Sequence, residues 1–325
     1  MQVMASKILM TRQWPAKVED YLRSRYDVTF NTSNIPMGES ALREATRHFD
    51  VLCTTVADRI TASALSHPES KVQLICNYGV GYDHIDLDAC KARNIIVTNT
   101  PDVLTDATAE LAVMLMLMVA RLASENERDF RATCSTDWRP THMLGTQVTG
   151  KTLGLIGFGR IAKVVATIAS HGLRMKVLYH SRHRVDIQTE ASLHAEYCPD
   201  IDTLLAASDF VSLHCPGGKD TEKLINADRL AKMKSSAFLV NTARGSVIDE
   251  AALIEALHNK TIAGAGLDVY CNEPDVNKNL FDAPNVVLLP HIGSATTETR
   301  HAMGMRAVSN LEAWLERREI PDRLT

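Results

Sequence analysis

A glycine-rich stretch near the middle of the chain, Gly154-Leu155-Ile156-Gly157-Phe158-Gly159-Arg160-Ile161-Ala162, constrains the fold more than any other feature. It follows a β-like run and opens a helix-like one. Gly157 permits a tight turn, Gly159 lets the backbone approach a ligand, and Ala162 lets helix and strand pack closely. N–H groups at the helix start then face an anion. The alternative is a plain turn, but the context indicates a dinucleotide site formed by Gly157, Phe158, Gly159, Arg160 and Ile161.

Length and charge narrow the class of protein. A chain of 325 residues is long enough for two domains. The net charge is −4 and the basic residues are scattered, which argues against a nucleic-acid or polybasic membrane surface. The longest apolar run, Leu111 to Ala120, is too short to cross a bilayer and indicates a buried helix. The first residues lack the apolar core of a signal peptide, so we expect a cytoplasmic protein.

The seven cysteines have neither metal-site nor redox-motif spacing. Most of them lie in apolar runs, which is typical of reduced thiols that act as small hydrophobic residues. We therefore predict no metal site.

The first hundred residues alternate short apolar runs with amphipathic ones, which predicts a parallel sheet with helices on both faces. Predicted strands are Lys7–Met10, Asp27–Phe30, Val51–Thr54, Val72–Cys76 and Ile95–Val97. Predicted helices are Val18–Arg25, Ser40–His48, Arg59–Ser66 and Leu87–Ala92. A long helix from Thr105 to Ser124 follows, and then a polar stretch that contains Trp138.

A second alternating series begins at Lys151. Its predicted strands are Thr152–Ile156, Met175–Tyr179, Phe210–His214, Ala237–Asn241, Gly264–Val269 and Val286–Leu289. Its predicted helices are Ile161–Ser170, Ile201–Ala207, Asn226–Met233, Asp249–His258 and a closing helix, Thr296–Arg318.

The position of the glycine stretch predicts how the two series are arranged. Because it lies mid-chain, we expect an α/β fold of two doubly wound parallel-sheet domains. A Rossmann nucleotide-binding domain, residues 103–292, would be inserted into a flavodoxin-like substrate (catalytic) domain formed by residues 1–102 and 293–325.

The end of the second Rossmann strand bears on which nicotinamide cofactor binds. A carboxylate there usually binds the ribose 2′-hydroxyl, but the segment Tyr179-His180-Ser181-Arg182-His183-Arg184 has none before Asp186. Ser181 can donate a hydrogen bond to a 2′-phosphate, and the guanidinium of Arg182 can pair with it. We expect a preference for NADP(H), with NAD(H) possible; the alternative is a solvated basic loop with no preference.

Three segments place polar residues after apolar strands, where ligands bind in open α/β sheets. They are Asn241-Thr242-Ala243-Arg244-Gly245, Asp268-Val269-Tyr270-Cys271-Asn272-Glu273-Pro274 and Pro290-His291-Ile292-Gly293-Ser294. Taken singly, Arg244 could be a surface ion pair, Glu273 a turn residue and His291 a capped histidine. Together, in this order after the glycine stretch, they indicate a catalytic set.

With these segments the chain resembles the D-isomer-specific 2-hydroxyacid dehydrogenase family. Two further motifs carry the resemblance: Asn77-Tyr78-Gly79-Val80-Gly81-Tyr82-Asp83-His84-Ile85-Asp86, and Asn99-Thr100-Pro101-Asp102-Val103-Leu104-Thr105-Asp106-Ala107-Thr108-Ala109-Glu110. The second motif, with the Ser181-Arg182 loop, is most similar to the glyoxylate/hydroxypyruvate reductases, although 2-ketogluconate reductases look similar.

The resemblance implies a role for each catalytic residue. His291 would donate the proton to the substrate oxygen, since imidazole titrates near neutrality. Glu273 would hydrogen-bond and orient that imidazole. Arg244 would bind the substrate carboxylate and ketone oxygen. The backbone N–H groups of Val80 and Gly81 resemble the loop of the family that holds the carboxylate; the alternative is a tight strand-to-helix turn.

Other positions are similar to cofactor and substrate contacts of the family. Asp268 would hold the carboxamide, and Trp138 resembles a residue that reaches the partner subunit's active site, with a core or interface aromatic as the alternative. The cofactor contacts implied are Thr108, His214, Cys215, Pro216, Thr242, Ala243, His291 and Gly293; His214, Cys215 and Pro216 could instead form a strand-end turn. The substrate contacts implied are Tyr78, Val80, Gly81, Trp138, Arg244 and His291.

The predicted function is therefore NADPH-preferring reduction of small 2-keto acids, glyoxylate or hydroxypyruvate, to D-2-hydroxy acids. One alternative is a 2-ketogluconate or other D-2-hydroxyacid dehydrogenase. Another is a nucleotide-sensing binding protein without enzymatic activity, since some relatives of the family act as corepressors. The resemblance also implies a homodimer, for which the apolar helix Leu111–Ala120 and the loop with Trp138 are the candidate interface, and no nucleic-acid or membrane partner.

Overall fold

The computed structural model describes residues 6–134, 136 and 138–325. Its strands are β1 (Ile8–Met10), β2 (Val28–Phe30), β3 (Val51–Thr55), β4 (Leu74–Tyr78), β5 (Ile96–Thr98), β6 (Thr152–Ile156), β7 (Lys176–His180), β8 (Ala195–Tyr197), β9 (Phe210–Leu213), β10 (Phe238–Asn241), β11 (Gly264–Leu267) and β12 (Val286–Leu288).

The helices are α1 (Ala16–Arg23), α2 (Glu39–His48), α3 (Leu87–Ala92), α4 (Thr105–Ala120), α5 (Ala123–Thr133), α6 (Arg160–Thr167), α7 (Ile187–Leu193), α8 (Ile201–Ala207), α9 (Ala227–Lys232), α10 (Glu250–His258) and α11 (Thr297–Leu315). Their first turns are frequently closed by a side chain that accepts a backbone N–H, as N-cap residues do. These caps are Asp86, Asp186, Asp200, Asn226, Asp249 and Thr296.

The chain divides into two compact units. The first consists of Met1–Leu104 and Ser294–Thr325, and the second of Thr105–Gly293. In the first unit, a parallel sheet has the order β2-β1-β3-β4-β5. This is the flavodoxin-like order of a doubly wound sheet. Helix α11 returns to this unit and packs against β4 and α1.

The second unit is built on a seven-stranded parallel sheet with the order β12-β11-β10-β9-β6-β7-β8. Counted from β6, the first six strands follow the Rossmann order 3-2-1-4-5-6, and β12 extends it. The order reverses between β6 and β9, which are direct neighbours. The expected α/β class with two doubly wound parallel sheets is confirmed.

Helix α4 is buried far more than a surface helix because it packs against the seven-stranded sheet and α6. A small residue on β11 permits the close approach, since a Cβ on Gly266 would lie 3.1 Å from the Cβ of Leu115. Within the described residues no single helix is both long and apolar enough to cross a membrane; α4 and α5 qualify only as a pair bent by 59°.

Several predicted elements were wrong in their type or extent. Residues 59–66 form turns and not a helix: Ile60 pairs with Ile85 as an isolated bridge, and Pro68 follows too soon for the turn to continue. The long helix stops at Ala120 because Leu122 takes a left-handed conformation (φ 51°), and α5 begins after it. Strand β8 and helix α7 were missed altogether.

Candidate active site

The glycine stretch forms the turn between β6 and α6. At Gly157 (φ +88°) a Cβ would lie 2.6 Å from both the carbonyl carbon of His214 and the N of Cys215, so the close approach of β9 requires glycine. Gly159 is the N-cap of α6, and a Cβ there would meet no described atom within 4 Å. The open space at Gly159, next to the first N–H groups of α6, fits a phosphate group.

Other predicted cofactor residues lie on the same unit. Thr108 is buried on α4, beside Gly293, whose Cβ would come 3.3 Å from the Thr108 methyl group. The hydroxyl of Thr242 is buried and has no hydrogen-bond partner within the described part of the chain. Buried polar atoms are almost always hydrogen-bonded, so this hydroxyl fits a polar group of a bound ligand. These residues therefore suit a dinucleotide that has a polar group near Thr242.

The segment His214-Cys215-Pro216 follows β9, the strand beside β6. Ser212 lies 2.9 Å from Nε2 of His214, and burial lowers the pKa of His214 to about 4. Burial likewise raises the pKa of Cys215 to about 11. Both side chains are therefore uncharged at neutral pH, which suits a wall against a neutral ring more than a charge-binding role.

Arg244 follows β10, and its backbone is fixed by the preceding strand. The Asn241 side chain donates to the Arg244 carbonyl (2.8 Å) and accepts from the Ala243 N–H (3.0 Å). At Gly245 a Cβ would lie 1.9 Å from the carbonyl carbon of Tyr270, so only glycine lets the two loops touch. This contact holds the Arg244 loop beside the segment that carries Glu273.

His291 and Glu273 form a close pair. Nδ1 of His291 lies 2.6 Å from Oε2 of Glu273, and both side chains are about one-third exposed. The other oxygen of Glu273 accepts from the N–H of Tyr270 (2.9 Å). Burial acts to raise the pKa of Glu273, but the hydrogen bond to His291, the charges of His291 and Arg244 and the Tyr270 N–H outweigh it, so the pKa lies below its usual value.

Asp268 builds the loop on which His291 lies. Its two carboxylate oxygens accept from the N–H groups of Ile292 and Gly293, each at 2.8 Å, and its carbonyl accepts from the His291 N–H. Burial raises the pKa of Asp268, against the opposing effect of these two N–H groups and His291. His291 itself has a positive φ (53°), a conformation that this anchoring maintains.

In the first unit, the Val80–Gly81 loop is held through its carbonyl groups. Asn77 donates to the carbonyls of Gly79 (3.2 Å) and Gly81 (2.8 Å), and Asn99 donates to that of Val80 (2.8 Å). Within the described residues, the N–H groups of Val80 and Gly81 have no acceptor. Two adjacent unpaired N–H groups on a fixed loop are suited to bind a carboxylate.

Two predicted substrate residues are placed differently from the rest. Tyr78 is buried and its hydroxyl donates to the carbonyl of Arg300, so that donor is already satisfied. Trp138 is 83% exposed on the second unit. In the predicted cofactor loop, the Ser181 hydroxyl donates to the carbonyl of His183 (2.6 Å), while Arg182 is exposed and forms no ion pair with another described residue.

Sequence reasoning did not single out the residues that support these groups. Asn77, Asn99 and Asn241 each hold a backbone turn that presents a predicted functional residue. A signal was available, since each asparagine stands at or just after the end of an apolar strand, where polar residues face ligands or loops.

Comparison with known proteins decides the family. The model for "D-isomer specific 2-hydroxyacid dehydrogenase, NAD binding domain" matches residues 113–293. The chain belongs to the D-isomer-specific 2-hydroxyacid dehydrogenase family. The matched range contains Arg244, Glu273, His291 and the glycine stretch, so these residues lie in the nucleotide-binding domain of this oxidoreductase family.

Relatives of this dehydrogenase extend over the full chain. A glyoxylate reductase of Thermococcus litoralis is 43% identical over 99% of this chain and 97% of its own. A solved D-isomer specific 2-hydroxyacid dehydrogenase of Polaromonas has a TM-score of 0.91 at 36% identity and covers 99% of this chain and 100% of its own. The NADPH-dependent glyoxylate/hydroxypyruvate reductase of Sinorhizobium meliloti, solved with NADP and malonate, has a TM-score of 0.87 at 33% identity and covers 99% and 97%.

Proposed function

We propose that this dehydrogenase reduces small 2-keto acids, foremost glyoxylate and hydroxypyruvate, to D-2-hydroxy acids and prefers NADPH to NADH. The observation that carries the proposal is the His291–Glu273 pair at 2.6 Å, next to the Gly245 contact that fixes Arg244. The names of the Thermococcus and Sinorhizobium relatives support the choice of substrate.

His291 is the general acid in this proposal. Because Nδ1 is engaged by Glu273, Nε2 is the nitrogen that gives its proton to the oxygen of the substrate carbonyl. Glu273 fixes the orientation of the imidazole ring, and the Tyr270 N–H keeps Glu273 itself in place. The pair therefore holds an oriented proton at one atom.

Arg244 binds the anionic substrate in this proposal. A planar guanidinium can bind a carboxylate and a ketone oxygen together, and it stabilises negative charge that develops on that oxygen. In the first unit, the N–H groups of Val80 and Gly81 are the proposed donors to a carboxylate, since Asn77 and Asn99 hold the carbonyls of this loop. Trp138 remains a proposed substrate contact. Tyr78 is also a proposed substrate contact, through its ring and not through its hydroxyl.

The cofactor is held by residues of the second unit. When bound, the nicotinamide supplies the hydride that reduces the carbonyl carbon. The glycine stretch would hold the pyrophosphate. The nicotinamide half would be held by Thr108, Thr242, Ala243, Asp268 and Gly293, and the adenosine side by His214, Cys215 and Pro216. Arg182 would pair with the 2′-phosphate, because the first two carboxylates after β7 are engaged: Asp186 caps α7 and Glu190 is bound to Arg184.

Steady-state rates on a matched set of substrates test this proposal. We expect kcat/KM to be highest for glyoxylate or hydroxypyruvate, lower for 2-ketogluconate and phenylpyruvate, and at least about tenfold higher with NADPH than with NADH, the effect of one charge-assisted contact. Equal values with the two cofactors would refute the preference. A faster rate on 2-ketogluconate would favour the alternative of a 2-ketogluconate dehydrogenase. No turnover on any of these substrates would favour a nucleotide-sensing binding protein.

We also propose a homodimer. Helix α4 buries most of its apolar face inside its own unit, but several large apolar side chains on this helix and in the segment that follows it are exposed. These are Met114, Leu117, Phe130, Trp138 and Leu144. Large exposed apolar side chains are characteristic of an interaction surface where they form one contiguous patch. Light scattering should give twice the mass of one chain, and Phe130→Asp should lower that mass; a wild-type monomer would contradict the proposal.

A further inference from the structure

Tyr179, Arg184, Val185 and Glu190 form a compact hydrogen-bonded cluster at the loop after β7. Arg184 donates to both oxygens of Glu190 in a fork, Nε to Oε1 and Nη2 to Oε2, each at 2.8 Å. Oε1 also accepts from the hydroxyl of Tyr179 (2.7 Å), and that hydroxyl accepts from the N–H of Val185 (3.1 Å). Tyr179 is completely buried and Glu190 is 9% exposed. A bidentate pair with two further bonds has one defined geometry.

The cluster fixes one end of the loop, and a separate hydrogen bond from Tyr197 holds the other end. Glu190 belongs to α7, whereas Arg184 and Val185 belong to the loop, so the carboxylate ties the loop to a helix. At the other end, the Tyr197 hydroxyl donates to the carbonyl of Ser181 (3.4 Å). With Arg184 bound to Glu190, Arg182 is the arginine of this loop that is left to meet a ligand.

The same cluster reaches the glycine stretch through an aromatic contact. The rings of Phe158 and Tyr179 are stacked with centroids 3.9 Å apart and an interplanar angle of 19°. Phe158 lies between Gly157 and Gly159, and Tyr179 holds Glu190. The turn at the pyrophosphate position and the loop after β7 therefore share one rigid support.

The charge state of the cluster is stable around neutral pH. Hydrogen bonds from Arg184 and Tyr179 lower the pKa of Glu190 to about 2, and burial and the bond to Glu190 raise that of Tyr179 to about 12. Glu190 is thus a carboxylate that Arg184 neutralises, close to a site where a free carboxylate would repel a phosphate.

We propose that Glu190 is a positioning residue for the 2′-phosphate of NADP(H): through Arg184 and Tyr179 it fixes the Ser181–Val185 loop so that Arg182 meets the phosphate. The inference rests on the proposed NADPH preference. A merely structural ion pair would support the domain and affect both cofactors alike, whereas a positioning role affects only the ligand that carries the phosphate.

Equilibrium binding separates the two roles. Dissociation constants of NADPH, NADH, 2′,5′-ADP and 5′-AMP are measured for the full chain by calorimetry. We expect Glu190→Gln to weaken the binding of NADPH and 2′,5′-ADP by about tenfold, which corresponds to the loss of one charge-assisted contact. The dissociation constants of NADH and 5′-AMP should be unchanged. Glu196→Gln is the matched control, because Glu196 pairs with Lys176 on the exposed side of β8, and it should change none of the constants.

Two further variants keep the outcomes distinct. Arg184→Lys keeps the charge but loses the fork, so it should reproduce the selective loss and replaces Glu190→Gln if that variant does not fold. Arg182→Ala tests the proposed preference itself. If Arg182→Ala removes the preference but neither cluster variant does, the positioning role is wrong and the preference stands. Equal weakening of all four ligands, or no preference in the wild type, also overturns the inference.

Discussion

His291→Ala should lower kcat for reduction of glyoxylate or hydroxypyruvate by about 10²- to 10⁴-fold, the range for loss of a general acid. The physical reason is that the transition state develops negative charge on the carbonyl oxygen, and the protonated Nε2 neutralises it. No other imidazole of the described second unit is paired with a carboxylate at 2.6 Å, so no neighbour of the same kind can take over.

The control for this variant is His258→Ala, since His258 is an exposed histidine at the end of α10 in the same unit. It should leave kcat within about twofold of the wild type, as for surface changes away from a site. Stopped-flow measurement of cofactor oxidation separates the chemical step from product release. A His291→Ala enzyme with the wild-type rate in that step would contradict its role as the acid.

Arg244→Lys should lower kcat/KM for the keto acid by about 10²- to 10³-fold, the size of effect seen when a donor to a developing oxyanion is removed. Lysine keeps the charge but cannot bind two oxygens in a planar fork. The loop itself is set by Asn241 and by the Gly245 contact with Tyr270, so the variant changes the donor and leaves its support intact.

The matched control is Arg174→Lys, an exposed arginine before β7. It should leave the kinetics within about twofold. The dissociation constant of oxalate, a substrate-like dianion, gives an independent measure of anion binding. We expect Arg244→Lys to bind oxalate much more weakly than the wild type. Unaltered oxalate binding together with unaltered kcat/KM would show that Arg244 does not touch the substrate.

Local sequence rules predicted the parts of the fold whose signals are local. The glycine stretch and β6 fall at the predicted residues, because a strand–turn–helix motif with small residues at fixed positions has few alternatives. Helix α8 also has its predicted bounds, and the side chain of Asp200 caps its first turn. The predicted helix at residues 59–66 was wrong because Ile60 forms a bridge with Ile85, a contact that depends on a distant segment of the chain. The structure of that segment is therefore set by tertiary pairing and not by local helix propensity.

The candidate site was predictable as a set of residues but not as a geometry. Arg244, Glu273 and His291 were identified from their order along the chain and from the family resemblance. Their supports were not, since the closeness of Gly245 to Tyr270 and the clamp of Asp268 on the His291 loop depend on contacts between separate strand ends. The binding of Arg184 to Glu190 likewise appears only once α7 is placed.

The most direct test is reduction of hydroxypyruvate by the wild-type enzyme with NADPH, followed by chiral chromatography of the glycerate formed. We expect oxidation of one NADPH for each hydroxypyruvate and a product that is D-glycerate, with His291→Ala as the slow reference. L-glycerate would contradict the proposed stereochemistry. No oxidation of NADPH with either hydroxypyruvate or glyoxylate would contradict the proposed reaction itself.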